Sequence, residues 1–307
     1  MKTERRPPVT LRELDGVLLL DKPAGRSSTQ AMSAAKRIFR AQKAGHTGTL
    51  DPFATGLLPV CFGEATKFSR FMLDAEKSYR ATLKLGEVST TGDIEGVIQR
   101  SGPVEVDGAR AAAVLEQLVG EQTQIPPMYS ALKLAGVPLY ELARKGIQVE
   151  RAARRIHIYA IKLVSLSDCE LVIDVDVSKG TYIRVLAEDI GKQLGCGAHL
   201  TALRRTATGG FRVADAVSLD TLEAANGESL ETFLRPPSSL CAALPAIMLD
   251  VADGGIFSHG GWVGLASSPN TLGEHAVFNQ NQRFLGVGIV EQVQNKRRLS
   301  PSRVMKL

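Results

Sequence analysis

Residues 45–58, Gly45-His46-Thr47-Gly48-Thr49-Leu50-Asp51-Pro52-Phe53-Ala54-Thr55-Gly56-Leu57-Leu58, constrain this chain more than any other stretch. They join the basic run Lys36–Lys43 to the apolar run Leu57-Leu58-Pro59-Val60, and Asp51 is the only acid among them. Glycines at this density let the backbone take positive φ and let a ligand come close. Such a segment, set between structured elements, reads as a loop on which chemistry is mounted. In isolation Asp51-Pro52 is an ordinary turn dipeptide. Its place among glycines and threonines, beside a basic helix, argues for a ligand loop.

The surroundings supply the scaffold. Gly16–Leu20 reads as a buried strand that ends in the turn Asp21–Gly25. Ser27, Ser28 and Thr29 offer helix caps, and Ala31, Ala34, Ala35 and Ile38 fall on one helical face with Lys36, Arg37 and Arg40 outside it. Tyr79–Leu85 alternates with period two, as a half-buried strand does. Residues 109–119 predict a helix, Pro126 and Pro127 an extended segment, and Leu139–Arg144 a short helix ended by Gly146. Arg155–Leu163 and Glu170–Val177 predict a hairpin. Ile183, Leu186, Ala187, Ile190 and Leu194 mark a helix face that leaves Arg184 in the first turn and off the buried stripe. There it opposes the helix dipole, which suggests a negatively charged partner. Arg235–Ser239 reads as a linker, and short strands at Ala276–Phe278 and Phe284–Val290 as a small β-rich module.

Charge and cysteine content narrow the class. The 307 residues carry a formal charge of +5. Residues 1–43 hold ten Lys/Arg against four Asp/Glu, which favours a polyanionic partner. The four cysteines are dispersed and form no C-x-x-C, and the five histidines are scattered, so neither a zinc site nor a disulfide framework is indicated. No phosphate-binding G-x-x-x-x-G-K-[ST] loop or dinucleotide-binding loop is present, and no zinc-deaminase signature. The apolar runs are too short to span a bilayer and no leader pattern is seen, so a reducing cytoplasm is expected.

Residues 45–58 resemble the signature motif of the bacterial tRNA pseudouridine-55 synthases, the TruB family. The resemblance continues through Asp21-Lys22-Pro23-Ala24-Gly25, Lys77-Ser78-Tyr79-Arg80, Pro126–Lys133, Ser178-Lys179-Gly180-Thr181-Tyr182-Ile183-Arg184 and Leu203-Arg204-Arg205-Thr206. It covers residues 16–213, and several separate motifs follow in the same order. Ser27-Ser28, where Thr-Ser is usual, and the bulkier Phe53 are local departures. The tail resembles a reduced PUA-like domain. The resemblance implies a mixed α/β (α+β) catalytic domain around a central, largely antiparallel sheet flanked by helices, with a small β-rich PUA-like C-terminal domain. The division expected is an arm over 1–15, a catalytic domain over 16–235 and an RNA-binding domain over 240–307.

By the same resemblance Asp51 is the catalytic aspartate, Tyr79 the ring that stacks on the target base and Arg184 the ion-pair partner of Asp51. Leu203 touches the uracil apolarly, and His46 enters the T-loop where the flipped base had been. Lys22 and Pro23 support the site, and Tyr182 binds substrate. The reaction implied turns a uridine of the tRNA T-loop into pseudouridine, on a monomer with no metal, no cofactor and no membrane. A catalytically silent tRNA-binding or RNA-folding protein is the alternative.

The chemistry is consistent with one carboxylate. The N-glycosidic bond breaks, the base turns, a C–C bond forms at C5 and the C5 proton leaves, with no net electron transfer. The carboxylate can attack the anomeric carbon, stabilise an oxocarbenium-like centre or attack uracil C6. Burial would raise an aspartate above its usual pKa of about 3.9, and a nearby arginine would keep it ionised. Flipping the base costs a few kcal/mol, which phosphate contacts from Lys36, Arg37, Arg40 and Arg151–Arg155 can offset.

Overall fold

A computed structural model of the chain describes residues 10–225, 227–265, 271–294 and 296–306. The expected N-terminal arm lies partly outside the described residues; within them Arg12 forms an isolated bridge with Ala41. The first strand, β1 (Gly16–Lys22), is buried over nearly its whole length because both its faces are covered. The helix α1 (Ser28–Ile38) follows, opened by a capping box in which Ser27 and Gln30 each bond the other's backbone N–H. Its alanines pack inward and its basic residues face out, as the spacing predicts.

The remaining elements of the large sheet are β2 (Ala44–His46), β3 (Thr55–Phe62), β4 (Lys77–Leu85), β5 (Gly120–Gln124), β6 (Arg154–Ser167), β7 (Glu170–Val177) and β8 (Ala198–Thr208). Three further helices are α2 (Gly108–Gln117), α3 (Leu139–Arg144) and α4 (Ile183–Leu194). Among the described residues the sheet has 11 strands, and its main order is β1-β3-β8-β4-β7-β6-β5. Along this order every pair is antiparallel except β3 with β8. The hairpin expected from the sequence is β6–β7, and its second strand also pairs with β4 along its whole length.

Two apolar layers cover the sheet. Leu83, Ile173 and Val175 pack with Leu186 and Ile190 of α4 and Leu115 of α2. Leu18, Leu58 and Val60 pack with Ala31, Ala35 and Phe39 on the α1 side. The second half of residues 45–58 therefore differs from the expected loop: Gly56, Leu57 and Leu58 are buried strand, and the loop proper is 47–54. Burial on both faces of a central strand rewards an apolar run regardless of the glycine beside it.

The C-terminal part forms a second sheet from β9 (Ala246–Leu249), β10 (Val263–Leu265), β11 (Gly273–Asn279), β12 (Phe284–Val293) and β13 (Lys296–Val304), with the helix α5 (Val251–Ser258) against it. Its strand order is β9-β11-β12-β13-β10. The segment that reads as a linker is not loose: Pro237–Cys241 coils into a 3-10 helix whose Leu240 and Cys241 are buried with Leu19 and Phe68 on one side and Ala276 and Val287 on the other. Lys67 Nζ donates to the Val304 carbonyl at 3.0 Å, and Arg70 pairs with Glu274, so the two sheets share one packed seam. No helix among the described residues is long and apolar enough to cross a membrane.

Candidate active site

The loop 47–54 is pinned from below before it presents Asp51. Ser28 at the start of α1 accepts the Leu50 N–H at 2.7 Å and donates to the Leu50 carbonyl at 3.0 Å. Gly25 N–H bonds the Pro52 carbonyl, and Ala54 N–H closes a turn on the Asp51 carbonyl. Lys22 is fully buried and its ammonium donates to the carbonyls of Pro23, Pro52 and Ala54 at 2.8, 3.2 and 2.6 Å. The loop then enters β3, and at Gly56 (φ 101°) a Cβ would lie 2.3 Å from the Arg205 carbonyl. Only glycine lets β3 run this close to β8.

Sheet register brings the other groups to the same place. Arg205 of β8 stands opposite both Gly56 of β3 and Tyr79 of β4, and Leu203 stands opposite Ala81. Asp51, Tyr79, Tyr182, Arg184 and Leu203 thus line one cavity of about 310 Å³, together with Lys77, Ser130 and Arg205. His46 and Lys22 do not line it. His46 ends β2, half-buried, with its Nδ1 atom unpartnered among the described residues, and Lys22 lies beneath the loop.

Arg184 corrects an expectation. Helical periodicity sets it off the buried stripe, whereas it is 4% exposed. The first turn of α4 is enclosed by segments from elsewhere in the chain, which periodicity along one helix cannot register. Its Nε is 3.0 Å from Asp51 Oδ2, an ion contact without hydrogen-bond alignment, while Nη2 donates to Asp51 Oδ1 at 3.3 Å. The guanidinium also donates to the carbonyls of Thr91 and Tyr129 at 3.1 and 2.6 Å, and lies 3.5 Å from Asp93. Asp93 is 2% exposed and accepts from Thr91 and from the Glu95 N–H. Two carboxylates around one arginine answer the unfavourable helix-dipole position. Gly92 (φ 75°) lets this loop lie against α4: a Cβ there would come 3.2 Å from that of Arg184.

The electrostatics follow from burial. Desolvation pushes the Asp51 carboxyl above the usual aspartate range, Arg184 pulls it back and Asp93 pushes it further up. The same desolvation lowers Lys22 and Lys77 to about 8. His46 is lowered by burial and by Arg205, which favours a neutral ring.

Residues 36–183 match the family described as "TruB family pseudouridylate synthase (N terminal domain)", and residues 184–241 match "tRNA pseudouridylate synthase B C-terminal domain". A relative from Burkholderia mallei named tRNA pseudouridine synthase B is 50% identical over 287 residues, 92% of each chain. One of the same name from Chromobacterium violaceum is 47% identical over 301 residues, 98% of this chain and 97% of the relative. This chain belongs to the TruB family. Solved structures agree on the fold. A chain from an H/ACA RNP bound to a substrate RNA containing 2'-deoxyuridine matches with a TM-score of 0.73 at 23% identity, covering 95% of this chain and 85% of that one. A chain from a Cbf5-Nop10-Gar1 complex matches at 0.72 and 25%, covering 95% and 84%.

Within this TruB chain, sequence reasoning missed four groups: Lys77, Ser130 and Arg205, which line the cavity, and Asp93, which lies behind Arg184. Lys77 was within reach, because it shares the inward phase of β4 with Tyr79, Ala81 and Leu83. Asp93 sits in a loop of glycine and hydroxyl residues much like the one around Asp51. Ser130 and Arg205 fall inside motif stretches, with nothing local to single them out.

Proposed function

We propose that this protein isomerises uridine to pseudouridine at position 55, in the T-loop of tRNA, with Asp51 as the catalytic carboxylate. The reading is carried by the Asp51–Arg184 pair in a cavity also lined by Tyr79 and Leu203. At about 310 Å³ the cavity is at the small end of ligand sites, a size suited to one flipped base. The relatives' name, tRNA pseudouridine synthase B, supports tRNA as the substrate.

In this mechanism Arg184 keeps Asp51 ionised as the base closes off solvent, and the carboxylate drives cleavage of the bond between N1 and the ribose. Tyr79 stacks on the freed ring and Leu203 packs its edge while the base turns. The C–C bond then forms at C5, and the C5 proton passes to a base within the cavity, Asp51 or Tyr79. N1 takes up a proton in place of the one lost from C5, so the product keeps the composition of uridine and the isomerisation consumes no other group. His46 holds the RNA open, Tyr182 contacts the substrate, and Lys36, Arg37, Arg40 and Arg151–Arg155 hold phosphates. Residues 16–235 form the catalytic domain, 240–307 a PUA-like domain that adds RNA contacts, and the protein acts as a cytoplasmic monomer.

The test is nucleoside analysis of a T-stem-loop RNA after incubation with the protein. Wild type should yield pseudouridine and no free uracil, and Asp51→Asn should lower the rate by at least about 10³-fold, the order seen when a triad member acting on the reacting bond is removed. Pseudouridine formed at an undiminished rate by Asp51→Asn would overturn the assignment. Normal tRNA function without any pseudouridine would favour the RNA-folding alternative.

A further inference from the structure

Ser130 lines the cavity, and its hydroxyl is buried and unused. The residue is 5% exposed and firmly seated: its N–H donates to the Met128 carbonyl at 2.9 Å and its carbonyl accepts from Tyr140 N–H at 3.1 Å. The carbonyl of the preceding residue, Tyr129, is the one that Arg184 grips at 2.6 Å. Ser130 is thus tied to the ion pair that holds Asp51, and it lines the same cavity. Yet its Oγ has no hydrogen-bond partner among the described residues. Three other buried hydroxyls share that condition, on Thr47, Thr208 and Ser258, and none of those residues lines the cavity. A buried polar group without a partner is costly, and such an orphan inside a ligand cavity is explained when the ligand completes it.

Resting on the reading given under Proposed function, we propose that the Ser130 hydroxyl binds the polar edge of the target base, N3 and the carbonyls beside it. A hydroxyl both donates and accepts, so it can take the N3–H or give a hydrogen bond to a flanking oxygen. The geometry of the isomerisation makes this choice of group apt. When the ring turns about its N3–C6 axis, C5 takes the place of N1, and the C2 and C4 carbonyls exchange positions, while N3 stays where it was. The edge offered to Ser130 is therefore the same before and after the turn. One side chain that rotates its proton can hold both orientations without moving.

The test is single-turnover pseudouridine formation in T-stem-loop RNA by wild type, Ser130→Ala and Ser130→Cys, each also on RNA carrying 2-thiouridine or 4-thiouridine at the target. Ser130→Ala should lower kcat/KM by about 3- to 10-fold, the size of one neutral hydrogen bond, with the melting temperature unchanged or raised. Ser130→Cys restores the volume but donates weakly, so it should stay near the Ala rate. Replacing a carbonyl oxygen by sulfur should cost wild type more than Ser130→Ala, because the two changes remove one interaction. Rates for Ser130→Ala within 1.5-fold of wild type would overturn the proposal, as would full rescue by Cys or equal thio effects in both proteins. So would a melting temperature that falls along with the rate. A wild-type protein that forms no pseudouridine would instead overturn the underlying reading, and the proposal with it.

Discussion

Two cations are buried on either side of the Asp51 loop, and they are satisfied in different ways. Arg184 lies against two carboxylates, at 3.0 Å from Asp51 and 3.5 Å from Asp93, besides the carbonyls of Thr91 and Tyr129. Lys22, equally enclosed, bonds three backbone carbonyls. Arg205 follows the second pattern, with its Nε on the Leu57 carbonyl at 2.7 Å and Nη2 on that of Gly48 at 3.2 Å. So does Lys77, on the carbonyls of Leu73 and Ala75 at 2.9 and 2.5 Å. Carbonyls do not titrate and move only with the backbone, so these three cations fix the course of the chain. A carboxylate can change its charge and its partner, so the Arg184 cluster is where chemistry can occur. Buried ion pairs are weak contributors to stability, because desolvation offsets their attraction. Their presence at one cation out of four points to the proposed catalytic role of Asp51.

That contrast can be broken by removing each cation in turn. The largest effect is expected for Arg184→Met, which leaves Asp93 buried and unpaired. Urea unfolding should register a loss of about 3–5 kcal/mol, the usual cost of breaking a buried pair. Arg184→Lys keeps the charge but not the fork. It should turn over about 10²-fold more slowly while binding tRNA within threefold of wild type. Equal losses of turnover and affinity would make Arg184 a plain RNA contact.

Lys22→Met should cost less, about 1–3 kcal/mol, since it strands carbonyls rather than a charge. The pH dependence sharpens this. Lys22 and Lys77 sit at about 8 in the folded protein against 10.5 unfolded, so between these values the unfolded chain binds more protons. Their contribution to stability therefore rises as pH climbs from about 8 towards 10.5. Lys22→Met should flatten that rise relative to wild type in unfolding curves at pH 8 and pH 10. A steeper rise in the variant would refute the desolvation argument. The smallest effect is expected at Arg80, whose ion pair with Asp174 across β4 and β7 has good geometry, 2.8 and 2.7 Å, but faces solvent. Arg80→Gln should leave the denaturation midpoint unchanged within error, because exposed pairs contribute little.

Much of the fold was legible because its elements carry their own signals. The Ser27 cap, the alternation of Tyr79–Leu85 and the Gly146 stop sit where the residues imply. Pro237–Cys241 was not legible as packed structure, since its proline and serine content resembles a linker and its partners, Phe68 and Val287, are remote in sequence. The strands Ala246–Leu249 and Lys296–Val304 and the glycine-containing helix α5 also escaped notice. In α5 the paired glycines Gly254 and Gly255 weaken the helical pattern that packing against β12 restores.

By itself, then, the sequence determined the reaction class to expect: one carboxylate in a glycine-rich loop, motifs in the order of one family, and a basic N-terminal segment. These are local properties, written in neighbouring residues and in the chemistry of their side chains. Only the tertiary structure decided that Arg184, which the family resemblance pairs with Asp51, is buried and also meets Asp93, that Lys22 and Arg205 serve the backbone, and that the buried Ser130 hydroxyl beside the cavity is left without a partner among the described residues. Those outcomes depend on segments that lie from 30 to 157 residues apart in the chain, joined by sheet register and by loops that close over one helix end. No spacing along a single element could encode them.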